Sequence, residues 1–156
     1  MKSYLIGAII SIIPMATLSE THVLTFWSEL VAPDYLDLGN EGYLVGDMFT
    51  RHGLKLDRPN GAVLGEYFSQ ARFIHIDAEE TWSVRSYMIE VTLADGPIYM
   101  MDLVEFDHGL PQDAGHRHSG AVIGGSGAYG GIRGSYGLMM QEGVAVKTIT
   151  YTLPED

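Results

Sequence analysis

The feature that most constrains this chain is a succession of eight β-rich runs with no helical periodicity between them. After Glu20 no stretch sets apolar residues at i, i+3, i+4 and i+7 over three turns. The runs cover 22–31, 43–52, 62–76, 81–93, 97–107, 118–125, 132–142 and 144–153. Between them stand Pro33-Asp34, Gly39-Asn40, Pro59-Asn60-Gly61, Ala94-Asp95-Gly96-Pro97, Gly109 to Gly115, Gly130-Gly131 and Glu142-Gly143. Asn60-Gly61, Asp95-Gly96 and Glu142-Gly143 have the composition of hairpin corners. Regular spacing with such punctuation predicts an all-β, antiparallel barrel or sandwich rather than βαβ units. Eight strands close a barrel just wide enough for packed side chains or one small ligand.

Alternation within the runs is mixed. Val63, Tyr67, Ala71 and Phe73 share one face of the third run, and Leu64, Glu66, Phe68, Gln70, Arg72 and Ile74 the other. In the fifth, Ile98, Met100, Asp102, Val104 and Phe106 oppose Tyr99, Met101, Leu103 and Glu105. A monomeric sheet with one wet side alternates more sharply. Two apolar faces predict an interior that is filled or holds a ligand, and an outer face that packs on another copy in a homodimer or homotrimer.

Charge narrows the function. Lys plus Arg is 9 against 20 Asp plus Glu, a formal net charge of −11. A nucleic-acid partner requires a basic footprint, and electrostatic docking on anionic lipid requires the same; this chain has neither. Cysteine is absent, which removes disulfides, thiolate catalysis and Cys-ligated zinc. Residues 1–19 read as a secretory signal peptide. Lys2 precedes the mostly apolar run Tyr4 to Met15, Pro14 interrupts it, and Ala16, Thr17 and Ser19 supply small residues before a cut after Ser19 or, alternatively, Ala16. Export to the periplasm or medium follows, with 20–156 as one domain and no membrane association after the leader is removed. An uncleaved apolar strand or anchor is the other reading of the same residues.

Gly124-Gly125-Ser126-Gly127, then Tyr129, then Arg133-Gly134 resembles the G-G-S/T-G-x-F/Y-x-x-x-R/Y-G signature of the allene oxide cyclase barrel and plant dirigent proteins. Gly46-Asp47-Met48, the strand around Gly65, Tyr87 followed by Gly96-Pro97-Ile98, and Lys147 to Leu153 resemble further strands of that family. The resemblance spans 22–153. It implies an eight-stranded antiparallel β-barrel with an apolar interior cavity, trimeric in plant members. It also implies binding of a hydrophobic small molecule, without a cofactor. Bacterial members include spirotetronate cyclases, which close rings by cycloaddition. The resemblance thus implies cyclisation or isomerisation of the bound molecule, or dirigent-like orientation of it without catalysis. The first strand reads Thr25-Phe26-Trp27-Ser28-Glu29-Leu30. One register sets Phe26 and Ser28 where the cyclases carry an acid and an Asn, and a shifted register offers Glu29. The cyclases' cavity Cys falls near Ala71. Arg133 sits on the motif's Arg.

A cyclase of this kind gains mainly from holding a flexible substrate in one reactive shape; good orientation is worth roughly 7–11 kcal/mol of barrier. The candidates for chemistry are Glu29, Arg133 and Tyr87, and for ligand contact Tyr67, Tyr99, Tyr136, Phe73, Met100 and Arg85. Each tyrosine also reads as core with a satisfied hydroxyl, each arginine as an ion-pair partner of Glu90, Asp102 or Glu105, and Glu29 as a solvated edge residue. His116 and His118 have H-x-H spacing, with His108 and Asp113 nearby. Alternate strand residues share a face, so a metal set is one reading and chance pairing in an exposed loop is the other. The expectation is no metal.

Overall fold

The computed structural model describes residues 20–39, 44–107, 117–141 and 144–154. The leader, His108, Asp113, His116 and the corner Glu142-Gly143 lie outside the described residues. Eight strands form: β1 (Thr21–Leu36), β2 (Met48–Leu56), β3 (Val63–Ile76), β4 (Trp82–Leu93), β5 (Gly96–Asp107), β6 (Arg117–Gly125), β7 (Arg133–Gln141) and β8 (Val144–Thr152). Each pairs antiparallel with its sequence neighbours, and β1 pairs with β8, so the sheet is a closed barrel. Closure gives every strand a paired neighbour on each side over part of its length. The expected all-β barrel is therefore the fold.

Two strands differ from their sequence boundaries for physical reasons. β1 continues through Pro33-Asp34 instead of ending at 31. It pairs with β8 only over Thr21–Ser28 and with β2 over Trp27–Leu36, with a register shift between Leu30 and Ala32. Pro33 thus sits where, among the described residues, the strand is paired on one flank only, the position a proline tolerates. β2 begins at Met48, after a turn, rather than at 43. Asp47 builds that turn. Its buried carboxylate accepts the Tyr35 hydroxyl at 2.7 Å, Leu44 N–H at 2.8 Å and Leu38 N–H at 3.1 Å. Those three bonds, the hydroxyl's foremost, hold Asp47 below the ordinary carboxylate range.

The β4–β5 corner matches its sequence signal. Leu93 pairs with Gly96 around Ala94-Asp95, and Gly96 takes φ +134°, a conformation open to glycine. The stretch Gly127–Tyr129 makes one 3₁₀ turn between β6 and β7 and buries Tyr129. Around it the lumen is packed by Val91, Ile98, Met100, Val122, Ile132 and Ile149. Leu93, Ile98 and Gly125 belong to strand ends at the β4–β5 hairpin, so this packing plugs that end of the barrel.

Candidate functional site

Away from the plug, the same inward-facing rows carry polar groups. β5 passes from Ile98 and Met100 to Asp102, and β8 passes from Ile149 to Lys147. Asp102 Oδ2 accepts the Tyr136 hydroxyl and lies 2.5 Å from His118 Nδ1. Its other oxygen, Oδ1, is buried without a hydrogen bond among the described residues. Gly120 makes this cluster possible: a Cβ there would meet Asp102 Cβ at 2.6 Å and the Tyr136 ring at 2.7 Å. Burial, reinforced by the Asp102 bond, drives the Tyr136 hydroxyl far above the ordinary tyrosine range. It stays protonated as a donor.

Two lysines face Asp102 and its partners. Lysine is among the residues least often buried. This chain has three, Lys2, Lys55 and Lys147, and the latter two are 1% and 3% exposed inside the barrel. Neither has a carboxylate within 4 Å among the described residues. Lys55 Nζ donates to Ser28 Oγ and lies 4.2 Å from the Tyr67 ring centroid and 6.0 Å from that of Phe26. Gly53 lets Tyr67 lie there, since a Cβ at that position would meet its ring at 2.5 Å. Lys147 Nζ is 5.1 Å from the Tyr136 ring centroid. Burial pulls Lys147 down from 10.5 to about 8, with the Asp102 charge opposing. Burial, and then the Lys147 charge, pulls Lys55 well below 10.5. Burial thus weakens the basicity of both amines that face the same lumen.

These groups border a pocket of about 290 Å³. Its walls include Leu30, Ile89, Phe106, Leu138 and Met140; Lys55, Lys147, Arg51, His118, Tyr67 and Tyr87 are among its polar contacts, with Ser28 and Ser69. The lumen is thus amphiphilic: of the polar contacts expected in an apolar cavity Tyr87 is there, and two lysines and a histidine stand beside it. An acidic protein turns its cations inward here, and only Asp102 answers them among the buried lumen side chains.

The expected site residues divide by parity. Tyr67 and Tyr87 line the pocket, and Tyr136 is buried behind it on Asp102. Phe73, Met100 and Arg85 are buried but do not border the pocket. The Arg85 guanidinium lies 4.4 Å from the Phe73 ring centroid and 4.2 Å from that of Phe106. Three placements in the interior are corrected. Glu29 faces out because Phe26 and Ser28 face in, the unshifted of the two registers. Tyr99 lies between the buried Ile98 and Met100 and borders an outer groove. Arg133 is exposed, one residue from the buried Ile132, and donates to the Ile132 carbonyl at 3.3 Å. Asp102 serves His118 and Tyr136, not an arginine, and His118 turns into the lumen. Among the described residues no three His, Asp or Glu gather as metal ligands.

Sequence reasoning missed Lys55, Lys147, Asp102 and His118 as one site. The available signal was parity. Asp102 shares its face with Met100 and Val104, and Lys147 shares its face with Ala145 and Ile149. A charge on a core-facing row demands a partner or a ligand.

No family model and no curated protein matches the chain. Solved structures do. A pyocyanin demethylase aligns at TM-score 0.67 and 18% identity, covering 84% of this chain and 100% of that one. The Diels-Alderase AbmU from Streptomyces koyangensis aligns at 0.65 and 19%, covering 86% of this chain and 64% of that one. A pterocarpan synthase dirigent protein aligns at 0.63 and 12%, covering 94% and 98%. The closed antiparallel barrel described above is the fold that the chain has in common with these Diels-Alderase and dirigent structures.

Proposed function

We propose that the barrel encloses a hydrophobic small molecule bearing an oxygen acceptor and promotes its cyclisation or isomerisation. One observation carries this reading: an amphiphilic pocket inside a closed barrel, with apolar walls and convergent Lys55, Lys147, His118 and Tyr87. A carrier needs only the walls. Convergent donors that can hold a carbonyl or epoxide oxygen favour chemistry over dirigent-like orientation. Leu138 and Met140 fold the apolar chain, Lys147 as an ammonium polarises the oxygen, and exclusion of water strengthens that contact.

Titration with a fluorescent polyene fatty acid, parinaric acid, tests the pocket. Saturable binding that is abolished by Leu138→Trp, which fills the cavity, and retained by Arg133→Met supports the reading. Absence of binding, or binding indifferent to Leu138→Trp, overturns it. Product analysis with candidate polyenes then separates turnover from carriage.

Two companion proposals rest on other residues. The outer face of β3 to β6 exposes Phe68, Met88, Tyr99, Met101, Leu103 and Ile123 around a groove of about 550 Å³; a second copy of the chain covers it in a dimer or trimer. Light scattering at the monomer mass would overturn this. Export is the other. β1 begins at Thr21, so cleavage after Ser19 leaves the barrel whole, and mass spectrometry of secreted or periplasmic protein reads the new terminus.

A further inference from the structure

We propose that Lys55 is a nucleophilic amine that condenses reversibly with a carbonyl group of the enclosed molecule, so that the ligand class is a conjugated aldehyde or ketone. The inference rests on the pocket reading above and specifies its substrate. Four observations converge on it. Lys55 borders the pocket yet is almost wholly buried. No carboxylate lies within 4 Å of it among the described residues. Its nitrogen is flanked by the aromatic face of Tyr67 and held by the Ser28 hydroxyl. Finally, a second amine, Lys147, borders the same pocket from β8. A lysine that is desolvated, or set beside another cation, is the arrangement that makes an amine reactive at neutral pH. The depressed basicity of Lys55 agrees with this geometry.

The step balances without an oxidant or reductant. The Nζ lone pair adds to the carbonyl carbon, and the carbonyl π pair moves to oxygen, which takes a proton from the Lys147 ammonium. The nitrogen then gives up a proton through the Ser28 hydroxyl to Lys147. The reprotonated Lys147 then gives its proton to the oxygen, which leaves as water while the nitrogen lone pair forms the C=N bond, so that the positive charge passes from Lys147 to the protonated C=N nitrogen of Lys55. The protonated product draws electrons from the conjugated chain, which lowers the barrier to ring closure or double-bond isomerisation. Hydrolysis returns the amine and the carbonyl.

Capture with cinnamaldehyde and cyanoborohydride near neutral pH tests the proposal, because hydride reduces the C=N bond to a stable secondary amine. The expected result, by peptide mapping of the wild type, is an adduct on Lys55 at least tenfold above that on Lys147, Lys2 or the amino terminus. Mapping the wild type needs no variant to fold. Lys55→Met and Lys55→Gln lose the adduct, whereas Arg133→Met, on the outside, keeps both the adduct and parinaric acid binding. The groups that share the pocket with Lys55 are Lys147 from β8, Tyr67 from β3, Arg51 on its own strand, and His118 and Tyr87, with Asp102 and Tyr136 behind His118. Lys147→Met removes the repelling charge, so the pH midpoint of capture moves up. An adduct on Lys147 instead, or no adduct in protein that binds parinaric acid, overturns the role of Lys55 and leaves the pocket reading intact. Protein that takes up neither probe overturns both.

Discussion

The plugged end of the barrel and its polar middle are built from the same strands, yet they obey different rules. At the plug, Ile98, Val91, Ile132 and Ile149 are 0% exposed, with no polar side chain among them. One inward step along β8 from Ile149 stands Lys147; one inward step along β5 from Met100 stands Asp102. Parity decides which side chains enter the lumen, and position along the strand decides what they do there. Apolar burial at the plug stabilises at about 25 cal/mol per Å². Buried charge in the middle costs stability unless it is neutralised or paired. The plug carries the fold, and the middle is held in place at the fold's expense.

The sharpest test of that contrast is Ile149→Ala. It opens a cavity in a fully packed region and should cost about 2–5 kcal/mol by denaturant unfolding. Stability within about 0.5 kcal/mol of wild type would mean the plug is not the anchor. Asp102→Ala comes next. It leaves the Tyr136 hydroxyl and His118 without their acceptor, for a loss of about 1–3 kcal/mol. Asp102→Asn keeps an acceptor and should recover part of it.

The third test is pH. The folded pKa of Lys147 is about 8 against 10.5 unfolded. Between these values the unfolded chain binds the proton that the native barrel has released, so stability rises with pH. The rise amounts to about 3 kcal/mol across the window. Lys55 adds in the same direction, while the raised Tyr67 and Tyr136 oppose it once unfolded tyrosine ionises near pH 10. Unfolding measured from about pH 7 to 9.5 should therefore show a rising limb, and Lys147→Met should flatten it. The smallest effects belong outside: Glu29→Gln and Arg133→Met should each shift stability by less than about 0.5 kcal/mol and leave parinaric acid binding unchanged.

How legible was this from sequence? β4 and β5 were, because Asp95-Gly96 marks their corner and the row Ile98, Met100, Val104, Phe106 keeps strict parity. β2 was not. Leu44 and Val45 look like strand, but the Asp47 side chain claims Leu38 N–H and Leu44 N–H for a turn. Gly53 reads as a strand end, whereas it is the gap into which the Tyr67 ring fits. The site was legible in part. Tyr67, Tyr87 and Tyr136 follow from periodicity. Arg133 misled because a motif match carries no information on which way a side chain points. Lys55 escaped because composition places lysine outside by default, and only three-dimensional closure brings β2 and β8 across the lumen from Asp102.

The seam between β1 and β8 has a consequence for how the chain reaches this state. Thr25 meets Thr148 across 123 residues of sequence, the kind of long-range pairing that slows folding. Until that last strand docks, its Lys147 has no lumen to be buried in. The amines keep their solution basicity through translation and early collapse, and lose it only at ring closure. The final docking step must strip water from both lysines, and that desolvation weakens the basicity of each. Barrel closure and the making of a reactive amine are then a single kinetic event, and a chain stalled short of its last strand holds two ordinary lysines.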